Sequence, residues 1–163
     1  MSDSDKLRSK IISCDDFLLR LASIREKGLS VVFTNGCFDI LHRGHIQYLC
    51  QASYYGDILV VGLNTDRSVR KIKGAGRPLQ DQESRSLVLA SLFFVDYVIP
   101  FEEETPLELI SKIVPDILIK GSDYKTEEIV GHDVVIKHGG KVITVPYIKG
   151  YSTTSILEKL KKT

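Results

Sequence analysis

The chain has 163 residues, enough to bury a core within one domain. Its 43% hydrophobic and 26% charged residues exclude a disordered chain, and 22 basic against 21 acidic residues argue against a nonspecific nucleic-acid binder. No apolar run approaches the roughly 20 residues of a membrane span, and the polar stretch Met1 to Lys10 does not read as a secretory signal. The three cysteines, Cys14, Cys37 and Cys50, are odd in number and lack zinc-site spacing, so a reducing cytoplasm is the expected compartment.

Residues 1–12 show little pattern and are expected to form a mobile N-terminus ahead of a single domain over 13–163. Ser13-Cys14-Asp15-Asp16 reads as a helix start, with Ser13 as N-cap and an acid three residues on. Phe17, Leu18, Leu21 and Ile24 follow at helical spacing, and Gly28 is the expected stop. From Val31 short β-rich runs alternate with helical ones. Strands are predicted over 31–34, 58–63, 97–99, 117–119 and 142–145; the second is continuously apolar, as in a sheet covered on both faces. Between the first two, Ile46, Leu49, Cys50 and Ser53 predict one face of a helix ending near Gly56, and another helix is predicted over 81–94. Thr105-Pro106-Leu107-Glu108 predicts a helix capped by Thr105, with Pro106 at its first position, Glu108 closing a capping box and Pro115 at its end. A further helix is predicted from Thr126 to Gly139-Gly140, and a last one from Ser152 or Thr153. The alternation implies right-handed crossovers and a Rossmann-like, doubly wound α/β domain: a parallel sheet of about five strands flanked by helices.

In such a sheet ligands bind beyond the carboxyl ends of the strands. The segments following the strands, 35–45, 64–66, 120–123 and 150–155, are therefore the candidate site. A helix starting near Arg43 would aim its free N–H groups and positive dipole end at this edge. His42 and His45, three apart, can both face a bound phosphate, and Gly44 between them removes a side chain where a ligand would approach the backbone. Imidazoles there can donate to phosphate oxygens and to charge developing on a phosphorus under displacement. A structural pair, a surface pair and a metal pair are the competing readings; for the last, no third ligand has convincing spacing.

Phe38-Asp39-Ile40-Leu41-His42-Arg43-Gly44-His45 resembles the HxGH signature of the cytidylyltransferase-like nucleotidyltransferases. The longer run from Thr34 to Leu49 resembles more specifically the adenylyltransferase part of the ADP-heptose synthases. So do Gly62-Leu63-Asn64-Thr65-Asp66-Arg67-Ser68-Val69, Lys73-Gly74-Ala75-Gly76-Arg77-Pro78-Leu79, Lys120-Gly121-Ser122-Asp123-Tyr124 and Gly150-Tyr151-Ser152-Thr153-Thr154. The resemblance spans about residues 31–156. It implies an enzyme that joins AMP from ATP to D-glycero-β-D-manno-heptose 1-phosphate and releases pyrophosphate, with Mg²⁺ accompanying ATP. Another HxGH enzyme, such as a glycerol-3-phosphate cytidylyltransferase, is the alternative.

Carried over residue by residue, the resemblance makes His42, His45 and Lys120 the catalytic group. It places the nucleotide against Thr34, Asn35, Gly36, Phe38, Gly44, Arg85, Gly121, Asp123, Ser152, Thr153, Thr154 and Ser155. It assigns Asp39, Asn64, Asp66 and Arg77 to the acceptor. Each has a plainer reading: Lys120 as a solvated strand-end lysine, Arg85 on a solvated helix face, Asn64 closing a turn, and 74–77 as a flexible connection. Asp39 either orients its loop or touches the acceptor phosphate's metal. Cys37 reads as a space-filling residue. Lys149 and Ser84 stand where the family commonly has acids. No sugar-kinase domain accompanies the sequence, so a separate kinase is expected, together with a homodimer and neither nucleic-acid nor membrane partners.

Overall fold

The computed structural model describes residues 2–122, 125–146, 150–151 and 153–160, without the side chains of Asp3, Ser155 and Leu160. Among these, no helix is long and apolar enough to cross a membrane.

Five parallel strands form the sheet: β1 (Val31–Gly36), β2 (Ile58–Asn64), β3 (Tyr97–Phe101), β4 (Ile117–Gly121) and β5 (Lys141–Val145), in the order β3-β2-β1-β4-β5. Side chains alternate across a strand, and the two faces bury separate sets. Val32, Leu59, Val61, Leu63, Val98 and Ile119 pack on one face with Leu49 and Leu89. Val31, Phe33, Val60, Ile99 and Leu118 pack on the other with Phe17, Leu109 and Ile110. This double covering explains why these strands read as apolar runs. Each strand except β5 runs past its predicted carboxyl end, so Asn35, Gly36 and Asn64 belong to the sheet.

The helices are α1 (Asp3–Arg8), α2 (Cys14–Glu26), α3 (Arg43–Ser53), α4 (Asp66–Lys73), α5 (Gln82–Ala90), α6 (Leu107–Ile113), α7 (His132–Lys137) and α8 (Thr153–Leu160), with a 3₁₀ turn at Thr126–Glu128. Helix α2 begins as read: the Ser13 hydroxyl accepts from the Asp16 N–H at 3.1 Å. The chain then leaves the helix through Gly28 at φ 69°. The buried face of α3 is Gly44, Tyr48, Leu49 and Ala52 rather than the expected Ile46, Leu49, Cys50 and Ser53. Tyr48 moved the stripe, because its hydroxyl finds partners inside: Thr34 Oγ1 at 2.8 Å and the Ile119 carbonyl at 3.1 Å.

Three other boundaries differ. Pro106, not Thr105, is the N-cap of α6 and supplies no side-chain cap, so the capping box does not form; Glu108 instead pairs with Lys112. The helix predicted over 81–94 ends at Ala90. The helix predicted from Thr126 is broken in two, because Gly131 adopts φ 91° in contact with Ile110.

Helices α1 and α4 were not predicted. Residues 2–12 cover the outer edge of β3: Val98 N donates to the Lys10 carbonyl at 2.8 Å, and Ile12 N donates to the Val98 carbonyl at 3.1 Å. An otherwise open strand edge is thereby paired. Strands β1 to β3 build outward in one direction, and the chain then crosses back to place β4 on the other side of β1. The switch point lies between β1 and β4, and the crevice it creates opens at Asn35 and Lys120.

A Cβ at position 131 would lie 2.7 Å from Ile110 Cδ1. Gly131→Ala should therefore lower stability by roughly 1–3 kcal/mol in urea unfolding, from overpacking added to the positive φ.

Candidate active site

Beyond the carboxyl ends of β1, β2 and β4 lies a cleft of about 520 Å³. It brings together segments far apart in sequence: Asn35 to Asp39, His45, Asn64, Lys73, Arg77, Lys120, Glu128 to Val130, and Thr153 with Thr154. Local geometry on the central strand is tight. Phe38 adopts φ 45°, and its ring lies 3.0 Å from where a Cβ on Gly36 would sit. A Cβ there would press on the Phe38 ring, and that folded-back ring meets His45 edge-on at 5.1 Å.

His42 is the N-cap of α3. Its extended backbone precedes the helix, and its Nδ1 accepts from the His45 N–H at a long 3.4 Å. With Nδ1 accepting, a neutral ring carries its proton on Nε2. The two imidazoles stack, centroids 3.8 Å apart and planes 20° apart. Burial, then the neighbouring His42, pushes the His45 imidazole down to about 4, with the Ile40 backbone pulling the other way; burial lowers His42 as well. Both rings are therefore neutral donors near pH 7. His45 Nδ1 and Asn35 Oδ1 are buried without a hydrogen-bond partner, and both residues border the cleft. Buried polar atoms normally have partners, so this pair marks where a ligand would supply them.

Lys120 leans over the end of β1, its ammonium 3.3 Å from the Asn35 carbonyl oxygen. Thr153 and Thr154 line the cleft at the start of α8. Asp123, Ser152 and the side chain of Ser155, assigned to the nucleotide in sequence, lie outside the described residues.

Several expected site residues have different work. Arg85 is 1% exposed. Its guanidinium donates to the carbonyls of Cys37 (2.7 Å), Asn64 (2.8 Å) and Gln80 (3.1 Å), and to Asp66 Oδ1 at 2.7 Å. These bonds occupy the fork from all sides, so Arg85 braces the cleft rather than reaching into it, and Asp66 is its counter-ion. Asp39 is 2% exposed and pairs with Arg77 while accepting from the N–H groups of Leu79 and Gln80. It holds the 77–80 loop, the first of the two roles left open for it. Asn64 faces the cleft but gives its amide to Ser68 Oγ at 2.9 Å. Thr34 is buried against Tyr48, and Gly121 is buried at the end of β4. Gly44 makes room for protein: a Cβ there would meet His42 Nδ1 at 3.1 Å and Tyr151 Cβ at 3.3 Å. Burial pushes the Cys37 thiol up, in keeping with its reading as a space filler.

Lys73, Glu104 and Glu128 also line the cleft and were not singled out in sequence. They sit among exposed charges on short elements, with no pattern to separate them from a solvated surface.

The profile of the cytidylyltransferase-like family matches residues 33–159. The chain belongs to this family. It is 51% identical over 158 residues to the bifunctional protein HldE of Trichlorobacter lovleyi, covering 97% of this chain and 32% of that protein. It is 52% identical over 154 residues to the protein of the same name from Rhodopseudomonas palustris, covering 94% and 31%. The chain thus spans about a third of the length of these curated relatives. Among solved structures it resembles a lipopolysaccharide core biosynthesis protein from Thermoplasma volcanium GSS1, with TM-score 0.61 and 34% identity over 77% of this chain and 100% of that one. A pantoate-beta-alanine ligase from Francisella tularensis, 18% identical with TM-score 0.57, covers 93% of this chain and 76% of its own, and shares the fold.

Two predictions follow from the buried groups. His45 holds its proton less readily folded, at about 4, than unfolded, near 6.5. The unfolded state then binds more protons between these values, so the contribution of His45 to stability should fall as pH drops from about 6.5 to about 4 and change no further below. His45→Asn should flatten that fall in urea unfolding at pH 7 and 4.5; an unchanged slope would assign it elsewhere. Arg85→Leu, which leaves three carbonyls and Asp66 without their donor, should cost roughly 3 kcal/mol or more by the same measurement.

Proposed function

We propose that this chain is an adenylyltransferase that transfers AMP from ATP to D-glycero-β-D-manno-heptose 1-phosphate, giving ADP-heptose and pyrophosphate. The observation that carries the reading is the neutral, stacked His42–His45 pair at the N-terminal end of α3, above a cleft at the switch point of the sheet. The identity of about half the residues with proteins named HldE, over nearly the whole chain, supports the choice of sugar. So does the similarity to a lipopolysaccharide core biosynthesis protein.

In this reaction an oxygen of the sugar phosphate attacks the α-phosphorus of ATP, and the bond from that phosphorus to the bridging oxygen of pyrophosphate breaks in line. A phosphate monoester is already ionised near neutral pH, so no strong general base is needed, and catalysis consists of positioning and electrostatic stabilisation. The imidazole N–H groups and the free N–H groups at the start of α3 receive the charge that builds on the phosphoryl oxygens. Lys120 adds a cation at the adjoining strand end, and the start of α8 offers the Thr153 and Thr154 hydroxyls to the distal phosphates. Asp39 and Arg85 hold the walls.

Mg²⁺ fits as the companion of the triphosphate. Among the described residues no three His, Cys, Asp or Glu side chains form a metal cluster, and Asp39 is committed to its loop. Phosphate oxygens and water would then be its ligands, as is usual for this ion, and it would offset phosphate charge. A sugar-phosphorylating activity has to supply the acceptor. A cytoplasmic homodimer is part of this reading and rests on family resemblance.

His45→Ala should keep the fold and nucleotide binding while turnover falls on the order of 10²–10³. Pyrophosphate release with ATP or CTP, each with heptose 1-phosphate or glycerol 3-phosphate, checks both parts. Near-normal release by the variant would remove His45 from the mechanism, and a preference for CTP would overturn the choice of substrates.

A further inference from the structure

The unpartnered oxygen of Asn35 has a definite position. Asn35 pairs with Gly62 in the β1–β2 register. A Cβ on Gly62 would lie 3.2 Å from Asn35 Cβ, 2.8 Å from Phe33 Cζ and 3.3 Å from Leu109 Cδ2. Asn35 therefore projects on the face shared with Phe33 and Leu109, covered by α2 and α6. Thr34 projects on the opposite face, where it bonds Tyr48 of α3. The cleft is thus lined at Asn35 from the face of β1 opposite the one that packs on the histidine helix.

The chemistry of this side differs from that around His45. The unpartnered atom there is Asn35 Oδ1, which accepts hydrogen bonds. Glu104 and Glu128 line the same cleft and are exposed carboxylates, again acceptors, while Pro106, Ile129 and Val130 contribute apolar surface. Ionised phosphate presents acceptors as well and would leave Asn35 Oδ1 without a donor. A sugar presents the complement: hydroxyl donors around a ring whose C–H faces pack on apolar walls.

We infer that the part of the cleft between the start of α6 and residues 128–130 is a sugar subsite, in which Asn35 Oδ1 accepts from a sugar hydroxyl. It rests on the proposed transfer to a sugar phosphate, which contains two such groups, the acceptor sugar and the ribose of the nucleotide. Glu104 and Glu128 accept from further hydroxyls at the rim. Phosphates are left to the histidines and to the cations Lys73 and Lys120.

The test is calorimetric binding of heptose 1-phosphate, ATP, inorganic phosphate and pyrophosphate to the wild type, Asn35→Leu and Glu128→Ala. Asn35→Leu keeps the side chain's size and removes the acceptor; Glu128→Ala lies on the exposed rim, where the fold is not at stake. We expect Asn35→Leu to weaken one sugar-bearing ligand about tenfold and Glu128→Ala to weaken the same ligand about threefold. Inorganic phosphate and pyrophosphate should stay within twofold. Loss confined to heptose 1-phosphate identifies the acceptor sugar, and loss confined to ATP identifies the ribose. Equal losses for pyrophosphate, or none for any ligand, would overturn the subsite. Product formation by the wild type tests the proposed reaction separately, since the binding ratios do not depend on turnover.

Discussion

The guanidinium of Arg85 lies where the loop after β1, the end of β2, the start of α4 and the 77–80 loop converge, and it donates to all four. A buried cation is tolerable only when its donors are satisfied and a counter-charge is near. Here three carbonyls and Asp66 meet both conditions. The consequence reaches the site: the Cys37 carbonyl is fixed one residue before Phe38 turns back at positive φ, and Phe38 in turn supports His45. Asp39 repeats the device with opposite charge, gathering Arg77 and two backbone N–H groups. Buried charge is thus spent on shaping loops that have little apolar surface of their own.

Around this frame, in the proposed reading, the cleft separates two kinds of recognition. On the α3 side neutral imidazoles, helix N–H groups and Lys120 favour negative charge. Keeping the histidines neutral matters there, since two stacked imidazolium ions would repel at 3.8 Å, whereas neutral rings donate without that penalty. Behind β1 the acceptors of Asn35 and the rim carboxylates suit hydroxyls. One strand end serves both because successive residues of a strand face opposite sides, so Thr34 and Asn35 look into different environments.

Much of the fold was legible in sequence because parallel strands buried on both faces leave uninterrupted apolar runs, and all five were found near their true starts. Helix α4 was missed since only Val69 of its apolar residues is buried, too thin a stripe to show as periodicity, although Thr65 caps it in the usual way. The helix from Thr126 was drawn unbroken because nothing local reveals that Gly131 must turn against Ile110, a residue of α6. The buried face of α3 was misplaced for a similar reason: Tyr48 looks amphipathic until its hydroxyl partners, Thr34 and Ile119, are brought in from two strands.

At the candidate site the sequence alone located the histidine segment, because a strand, a glycine turn and a capped helix with two histidines are contiguous and their geometry is local. It also marked the strand-end loops, since a doubly wound sheet collects them at one edge. What only the tertiary structure decided is the division of labour among the charged residues. In sequence Arg85 was assigned to the nucleotide and Arg77 to the acceptor, yet each is paired with a carboxylate from a distant segment, Asp66 and Asp39. Whether a charge meets a ligand or a counter-ion depends on burial and on long-range partners, and neither is written in the neighbouring residues.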